Sequence, residues 1–381
     1  MNIYLVGGAV RDHLLDVTPI DRDWVVVGAT EQDMLDQGYK PVHGDFPVFQ
    51  HTDTGEEYAL ARTERKTGEG YTGFATCSDS DVTLEQDLAR RDLTINAMAE
   101  DGQGQLIDPF NGQQDLQDGR LRHVSPAFVE DPLRVLRVAR FAARLGQWGF
   151  SVAHETHGLM KTMVASSELS ALSRDRVWSE TFRAMFDPQP QRYFVVLQRC
   201  GALAQIFPEI HHQLDSSDSG HGNTTPTPAA LEVLARAATK TERADIRFVV
   251  FCLALDLSDS IATLFSSWAI PPRLTELADV AAILWAETNP SSADDMLSLL
   301  ERVDAIRREQ RARDALMVCE LLTEADPPRL SVLRRSLDAM LAVDTAPVQA
   351  SGVSGPEFGQ AVRVLRLQAV SEAIAQEKTH D

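Results

Sequence analysis

Asp21 and Asp23 stand two residues apart at the head of the β-branched run Trp24-Val25-Val26-Val27. On a strand, residues i and i+2 project from one face, so this spacing sends both carboxylates into one space. Such a pair suits Mg²⁺, which takes oxygen ligands and keeps waters and substrate phosphates in its shell. Two ions of this kind can activate an attacking hydroxyl and stabilise a leaving pyrophosphate. Upstream, the apolar run Ile3-Tyr4-Leu5-Val6 meets Gly7-Gly8 and then the helix-compatible segment Ala9-Val10-Arg11-Asp12. That order reads as strand, tight turn and helix, with turn amides free to face an anion. A Gly-Gly turn or a D-x-D is common by itself; the two in this order point to phosphate chemistry.

Further elements must position these groups. A short helix is expected from Glu31 to Gln37, ended by Gly38. Pro47 to Thr52 and Glu57 to Arg62 read as strands joined by the turn signal Asp53-Thr54-Gly55. Glu57, Ala59 and Ala61 then share a face, so Glu57 is either a third carboxylate towards the aspartate pair or an exposed strand residue. Thr63 to Phe74, charged and punctuated by Gly68, Gly70 and Gly73, reads as a mobile loop, either functional or a plain connection. Glu85 to Met98 reads as a helix carrying Arg90 and Arg91, which cannot share one helical face. Leu106-Ile107 is a short strand before the turn residues Pro109 and Asn111-Gly112.

Glu130-Asp131-Pro132 is a strong helix start, with Asp131 at the N-cap and Pro132 at the first helical position. At 100° per residue, Val135, Leu136, Val138, Ala139, Ala142 and Ala143 occupy one arc. Arg134, Arg137, Arg140 and Arg144 occupy the opposite arc, interrupted by Leu133 and Phe141. Four cations on one face make either an anion site or an internal salt-bridge ladder.

The 381 residues carry 36 Lys+Arg against 56 Asp+Glu, a formal charge of −20. That balance excludes a protein that coats nucleic acid non-specifically, so any polyanion must meet a local basic surface. The four cysteines, Cys77, Cys200, Cys252 and Cys319, show neither C-x-x-C spacing nor a disulfide framework, which fits a reducing cytosol. A basic signal region is absent, and no stretch reaches the roughly 18 apolar residues of a membrane span, so a cytoplasmic protein is expected. Residues 150 to 207 read as helix-rich, with Trp178 and Phe182 as core contacts at i, i+4 spacing. His211 to Pro228 reads as a linker or long loop, and its His211, His212 and His221 lack partners with metal-ligand spacing. Ala229 to Gln376 reads as an all-helical bundle broken at Pro271-Pro272, Asn289-Pro290 and Pro327-Pro328.

The ordered motifs LVGGAVRD, DRDWVVVG, EEYALARTERKTGEGYTGF, RRDLTINAMA, IDPFNG and EDPLRVLRVARFAARLG resemble those of the bacterial class II tRNA nucleotidyltransferases, the CCA-adding enzymes. The resemblance is dense over roughly the first 150 residues and specific because so many motifs keep their order. It implies an α+β fold, a polymerase-β-like head (1–125) followed by an all-α neck (126–210) and a tRNA-contacting body and tail (211–381). It also implies transfer of CMP and AMP from CTP and ATP to the 3′ end of tRNA, without a nucleic-acid template and with Mg²⁺.

By the same resemblance Asp21 and Asp23 match the metal-binding pair and Glu57 a nearby acidic position. Gly8 and Arg11 match residues at the nucleotide phosphates, and Arg91, Arg137 and Arg140 match nucleotide-contacting arginines. Asp92 and Asn96 match the ribose-checking motif, and Asp131 and Arg134 the pair that reads the incoming base. One carboxylate and one guanidinium complement the amine and ring acceptor of cytosine or adenine. Uracil and guanine reverse the pattern and leave buried groups unpaired, at about 1–3 kcal/mol each. Asp131 can cap its helix at the same time.

The second half departs from the longer relatives, whose phosphohydrolase domain carries an adjacent His-Asp pair. Here the comparable place reads Phe251-Cys252-Leu253-Ala254-Leu255-Asp256, and aliphatic side chains cannot ligate a metal. No phosphohydrolase activity is expected. Within the same fold, a poly(A) polymerase or an enzyme adding only CC or only A is the alternative. A non-catalytic RNA-binding protein that kept the head is the alternative of another class.

Overall fold

The first strand, β1 (Asn2–Val6), sends alternate side chains to opposite sides, as the pleat requires. Tyr4 and Val6 pack with Val25, Leu88 and Ala97, while Ile3 and Leu5 join separate apolar clusters around Val26 and Val10. The sheet is therefore covered on both faces, which explains the continuous apolar runs of its strands. It has seven strands in the order β3-β4-β5-β2-β1-β8-β9. These are β2 (Asp23–Val27), β3 (Lys40–Val42), β4 (Val48–Gln50), β5 (Glu57–Leu60), β8 (Ala99–Glu100) and β9 (Leu106–Ile107) beside β1. β2 runs antiparallel to β1 and parallel to β5, with Asp23 opposite Glu57.

The computed structural model describes residues 1–19, 21–42, 47–66, 74–166, 168–216, 229–257, 261–268, 270–287, 292–324 and 328–375. They fall into two compact units, Met1–Pro208 and Glu209–Asp381. In the first, α1 (Gly8–Leu14) follows the turn at Gly7, whose φ is 72°, and α2 (Glu31–Asp36) is closed by a capping box on Thr30.

Three readings of this unit change. β6 (Thr63–Lys66) and β7 (Phe74–Cys77) form an antiparallel hairpin, so both ends of the expected loop are strand; 67–73 lie outside the described residues. The helix expected from Glu85 to Met98 is only α3 (Leu84–Ala89). Beyond it, Leu93, Ile95, Ala97, Met98 and Ala99 are all fully buried, which no single helical stripe allows. The backbone there bonds elsewhere: Thr94 N–H donates to Arg122 O and Gly7 N–H to Met98 O. Trp178 and Phe182 do meet, with centroids 5.2 Å apart and planes tilted by 31°, but they are half-buried. Val177, Thr181 and Ala184 form the buried stripe of their helix, leaving the two rings on its flank.

α4 (Gly112–Gln117) and β10 (Arg120–Leu121) lead to α5 (Leu133–Leu145), and β11 (Ser151–Val152) pairs parallel with β10. α6 (His154–Ala165), α7 (Arg174–Ala184), α8 (Gln191–Cys200) and α9 (Ala202–Ile206) follow. α10 (Pro208–Ser216), all but its first residue in the second unit, is a helix through His211 and His212, where a linker or long loop is expected; Ile210 and Leu214, one turn apart and fully buried, anchor it. His221 lies outside the described residues.

The other elements of the second unit are also helical among the described residues: α11 (Ala229–Lys240), α12 (Ala244–Ala254), α13 (Ile261–Ser267), α14 (Pro272–Ala286), α15 (Ala293–Arg302), α16 (Glu309–Leu321), α17 (Pro328–Leu341), α18 (Ala346–Ala350) and α19 (Gly355–Ala375). Pro272 and Pro328 open helices, where a missing N–H costs nothing; Asn289-Pro290 lies outside the described residues. Phe251 and Cys252 of α12 are fully buried.

Candidate active site

The helix α5 places its arginines. Its apolar arc is as expected: Val135, Leu136, Val138, Ala139, Ala142 and Ala143 are buried. The helix begins at Leu133, one residue later than expected, so the N-cap is Pro132 and not Asp131, which lies one residue before it and accepts the Leu133 N–H at 3.0 Å. Its polar arc faces a cleft of about 450 Å³.

That cleft gathers Gly7, Gly8, Arg11, Asp23, Asn96 and Phe141 with Arg134, Arg137, Arg140 and Arg144 of α5. Arg90, Arg91 and Arg176 bring its arginines to eight, against Asp23, Asp92 and Asp131 as its acids. Carboxylates in and behind the wall fix the guanidinium forks. Arg11 and Arg144 both bond Asp12, at 2.7 and 3.1 Å. Arg140 donates to Glu180 at 2.6 Å, and Arg137 bonds Asp92 at 2.6 Å. The anion-site and ion-pair readings of the arginine arc thus hold together. The Arg11, Arg137 and Arg140 guanidinium groups also lie over the Phe141 ring, 4.8–5.8 Å from its centroid.

Arg90 and Arg91 share the cleft, contrary to the helical argument, because the helix stops at Ala89 before them. Both bond the fully buried Asp87, at 2.8 and 3.2 Å. Arg91 Nε is buried with no hydrogen-bond partner among the described residues, a donor left over for a ligand. Gly7 makes room for this arginine: a Cβ there would lie 2.8 Å from Arg91 Nη1.

Burial alone would raise the Asp92 carboxyl. Arg137, the Asn96 amide and the Leu93 N–H outweigh burial and hold it well below the usual carboxylate range. Asp92 in turn raises Arg137. Arg11 hydrogen-bonds Asn96 Oδ1 at 2.6 Å, tying α1 to the same network. Asp131 Oδ2 accepts from Arg176 at 3.0 Å. Arg134 is 8% exposed and donates to the carbonyls of Ala127 and Arg90 at 2.7 and 2.5 Å.

Asp23 borders a second hollow of about 630 Å³, shared with Asp21, Glu56 and Glu57. Asp21 precedes β2 rather than lying on it, so strand pleating does not pair the two aspartates. They meet because the chain enters the strand there. Asp23 is solvent-exposed, yet surrounding protein raises its carboxyl above the ordinary value; Arg91 opposes this and Asp21 reinforces it. Among the described residues no three His, Cys, Asp or Glu side chains are gathered to hold a metal. Two aspartates fit an ion that completes its shell from water and phosphate oxygens.

The sequence reading missed Arg176, Glu180, Asp87 and Asp12. Asp87 sits three and four residues before Arg90 and Arg91, a spacing that signals ion pairs. Arg176 and Glu180 lie on α7, 45 and 40 residues from their partners, and no local pattern marks them.

Residues 3–122 match the family described as the Poly A polymerase head domain, and residues 149–214 one described as a probable RNA and SrmB-binding site of polymerase A. A "CCA-adding enzyme" from Pseudomonas putida is 49% identical over 378 residues, covering 97% of this chain and 98% of the relative. The chain belongs to the CCA-adding enzymes. A "Multifunctional CCA protein" from Thioalkalivibrio sulfidiphilus is 43% identical, covering 99% of both chains. The fold is shared with the solved CCA-adding enzyme of Bacillus stearothermophilus in complex with CTP: TM-score 0.63, 24% identity, 99% of this chain and 94% of that one. It is shared too with the Thermotoga maritima enzyme complexed with tRNA: TM-score 0.62, 22% identity, 98% and 91%. The CCA-adding fold is thus an α+β polymerase-β-like head with a helical remainder. No helix among the described residues is long and apolar enough to cross a membrane.

Proposed function

We propose that this cleft carries out the reaction of its family, adding C, C and A to the 3′ end of tRNA from CTP and ATP with release of pyrophosphate. The observation that carries the reading is the position of Asp23, which borders both the arginine-lined cleft and the carboxylate hollow. A nucleotide whose phosphates lie on the arginines brings its α-phosphate to the aspartates.

Asp21 and Asp23 would hold Mg²⁺, with Glu57 beside them. When bound, the ion supplies charge neutralisation on the phosphates and a more acidic attacking hydroxyl. Gly8, Arg11, Arg91, Arg137 and Arg140 bind and orient the triphosphate. Asp92 and Asn96, locked by Arg137 and Arg11, check the ribose. Asp131 and Arg134 read the base edge: amine to carboxylate, ring acceptor to guanidinium. In the domain organisation that goes with this function, 1–125 is the catalytic head, 126–210 the neck and 211–381 the body and tail. A cytoplasmic location follows from the tRNA substrate.

Incubation with tRNA lacking its 3′ end and labelled CTP and ATP tests the reading. The expected product ends in CCA; absence of C transfer refutes it, and homopolymer tails would indicate a poly(A) polymerase. We also expect no Ni²⁺- or Mn²⁺-dependent hydrolysis of 2′,3′-cyclic phosphates, since Leu253 and Ala254 offer no ligand atoms. Such hydrolysis would overturn that expectation.

A further inference from the structure

A second cationic cleft, of about 640 Å³, lies on the other side of α5. Ala142 lines it, about 200° around the helix from Arg140 and Arg144 of the nucleotide cleft. Its walls come from β10, β11, α6 and α8. They carry Arg120, Arg192 and Arg199 with His154 and His157 and, among the described residues, no aspartate or glutamate. In a chain of charge −20 a wall with three guanidinium groups and no carboxylate is a local reversal of sign.

The arginines are not neutralised from behind, as they are in the nucleotide cleft. Among the described residues Arg192 donates only to neutral oxygens: Phe150 O at 2.5 Å, and Gly146 O and Gln189 Oε1 at 3.4 Å. Gly146 leaves the space for this, since a Cβ there would lie 2.6 Å from Arg192 Cδ. Arg192 is thus a rigid cation whose charge is uncompensated. Arg120 and Arg199 are exposed and have no carboxylate partner among the described residues. One further atom of the wall, Gln191 Oε1, is buried without a hydrogen-bond partner among the described residues. Buried polar atoms are normally satisfied, so an orphan acceptor in a cationic wall marks a place where a ligand completes the bonding.

We propose that this cleft holds the sugar–phosphate backbone of the RNA acceptor, with phosphates on Arg120, Arg192 and Arg199 and a ribose 2′-hydroxyl donating to Gln191 Oε1. An orphan acceptor beside cations suits ribose, because a phosphate alone gives Gln191 no donor. The cations come from separate elements along the groove, which suits a strand of phosphodiesters. The inference rests on the reading of the substrate as tRNA and assigns part of its binding to named residues outside the chemistry.

The test compares the full chain with an Arg120→Ala/Arg199→Ala double variant, both positions being exposed. Binding of tRNA lacking its 3′ end is followed by fluorescence anisotropy across a salt series, and addition kinetics are measured at saturating tRNA. We expect tRNA affinity to fall about tenfold and the slope of log K against log salt to flatten by about 1 per cation removed. The kcat and the KM for CTP stay at the wild-type level. Gln191→Leu narrows the preference for an RNA minihelix over its 2′-deoxy counterpart. Unchanged tRNA affinity and salt slope in the double variant overturn the assignment, as does competition by inorganic tripolyphosphate at the concentration of an equal number of tRNA phosphates. A wild-type chain that binds tRNA through these arginines but adds no C would keep the cleft and sink the proposed reaction. One that adds CCA with the double variant unimpaired does the reverse.

Discussion

Asp131 is held from two sides, by the Leu133 N–H at one oxygen and Arg176 at the other, so its carboxylate plane is fixed before any base arrives. Arg176→Ala removes one restraint without touching the carboxylate. Discrimination of CTP and ATP against UTP and GTP should fall about tenfold, measured as the ratio of kcat/KM values, because the penalty for an unpaired base edge softens. Asp21→Ala or Asp23→Ala should lower kcat by at least about a hundredfold with tRNA binding retained, as expected for ligands of a charge-neutralising ion.

Asp92 and Asp87 are carboxylates whose folded pKa lies below the unfolded value of about 3.9. Stability from such groups is fully present above that value and is lost as pH falls through the folded pKa. Denaturant titrations from pH 7 to below pH 4 should show this acid loss, and Asp92→Asn should reduce it. The same substitution should cost about 1–3 kcal/mol at pH 7, because it leaves Arg137 without its charge partner.

At the scale of elements, the short 3-10 turn Thr94–Asn96 carries Asn96 into the cleft, and α4 packs against it through Gly112. A methyl at Gly112 would run into the Thr94 carbonyl and lie 2.9 Å from Met98 Cγ. Gly112→Ala should therefore destabilise the head by about 1–3 kcal/mol. It should also raise the KM for nucleotide by moving Asn96; thermal denaturation and CTP saturation kinetics measure the two effects. α5 is the corresponding hub on the other wall, one helix whose apolar arc is core and whose polar arc is site.

For the whole molecule, every residue assigned to the reaction lies in the first unit, Met1–Pro208, and none in Glu209–Asp381. Ligand binding stabilises only what it binds, by about 2.7 kcal/mol at a hundred times Kd. Calorimetry of the full chain should resolve two transitions, with CTP and Mg²⁺ raising only one of them. A single transition shifted as a whole would show the two units to be coupled. The acidity of the chain sharpens the contrast with the two arginine-rich clefts described in the first unit, which concentrate cations where an anion must be met.

The sequence by itself determined the strand-turn-helix entry, the acids entering β2, the start of α5 to within a residue and the segregation of α5 into apolar and arginine arcs. Each of these rests on local periodicity or capping, which spacing encodes directly. Only the tertiary structure decided that Arg90 and Arg91 share a cleft, since a fully buried run after Ala89 forces the backbone out of the helix and defeats the periodicity argument. The same holds for the partners of Asp131 and Arg140, supplied by a helix some 40 residues away, and for the hairpin that charged residues disguised as a loop. In each case the deciding partner is distant in the chain, and only packing brings it near.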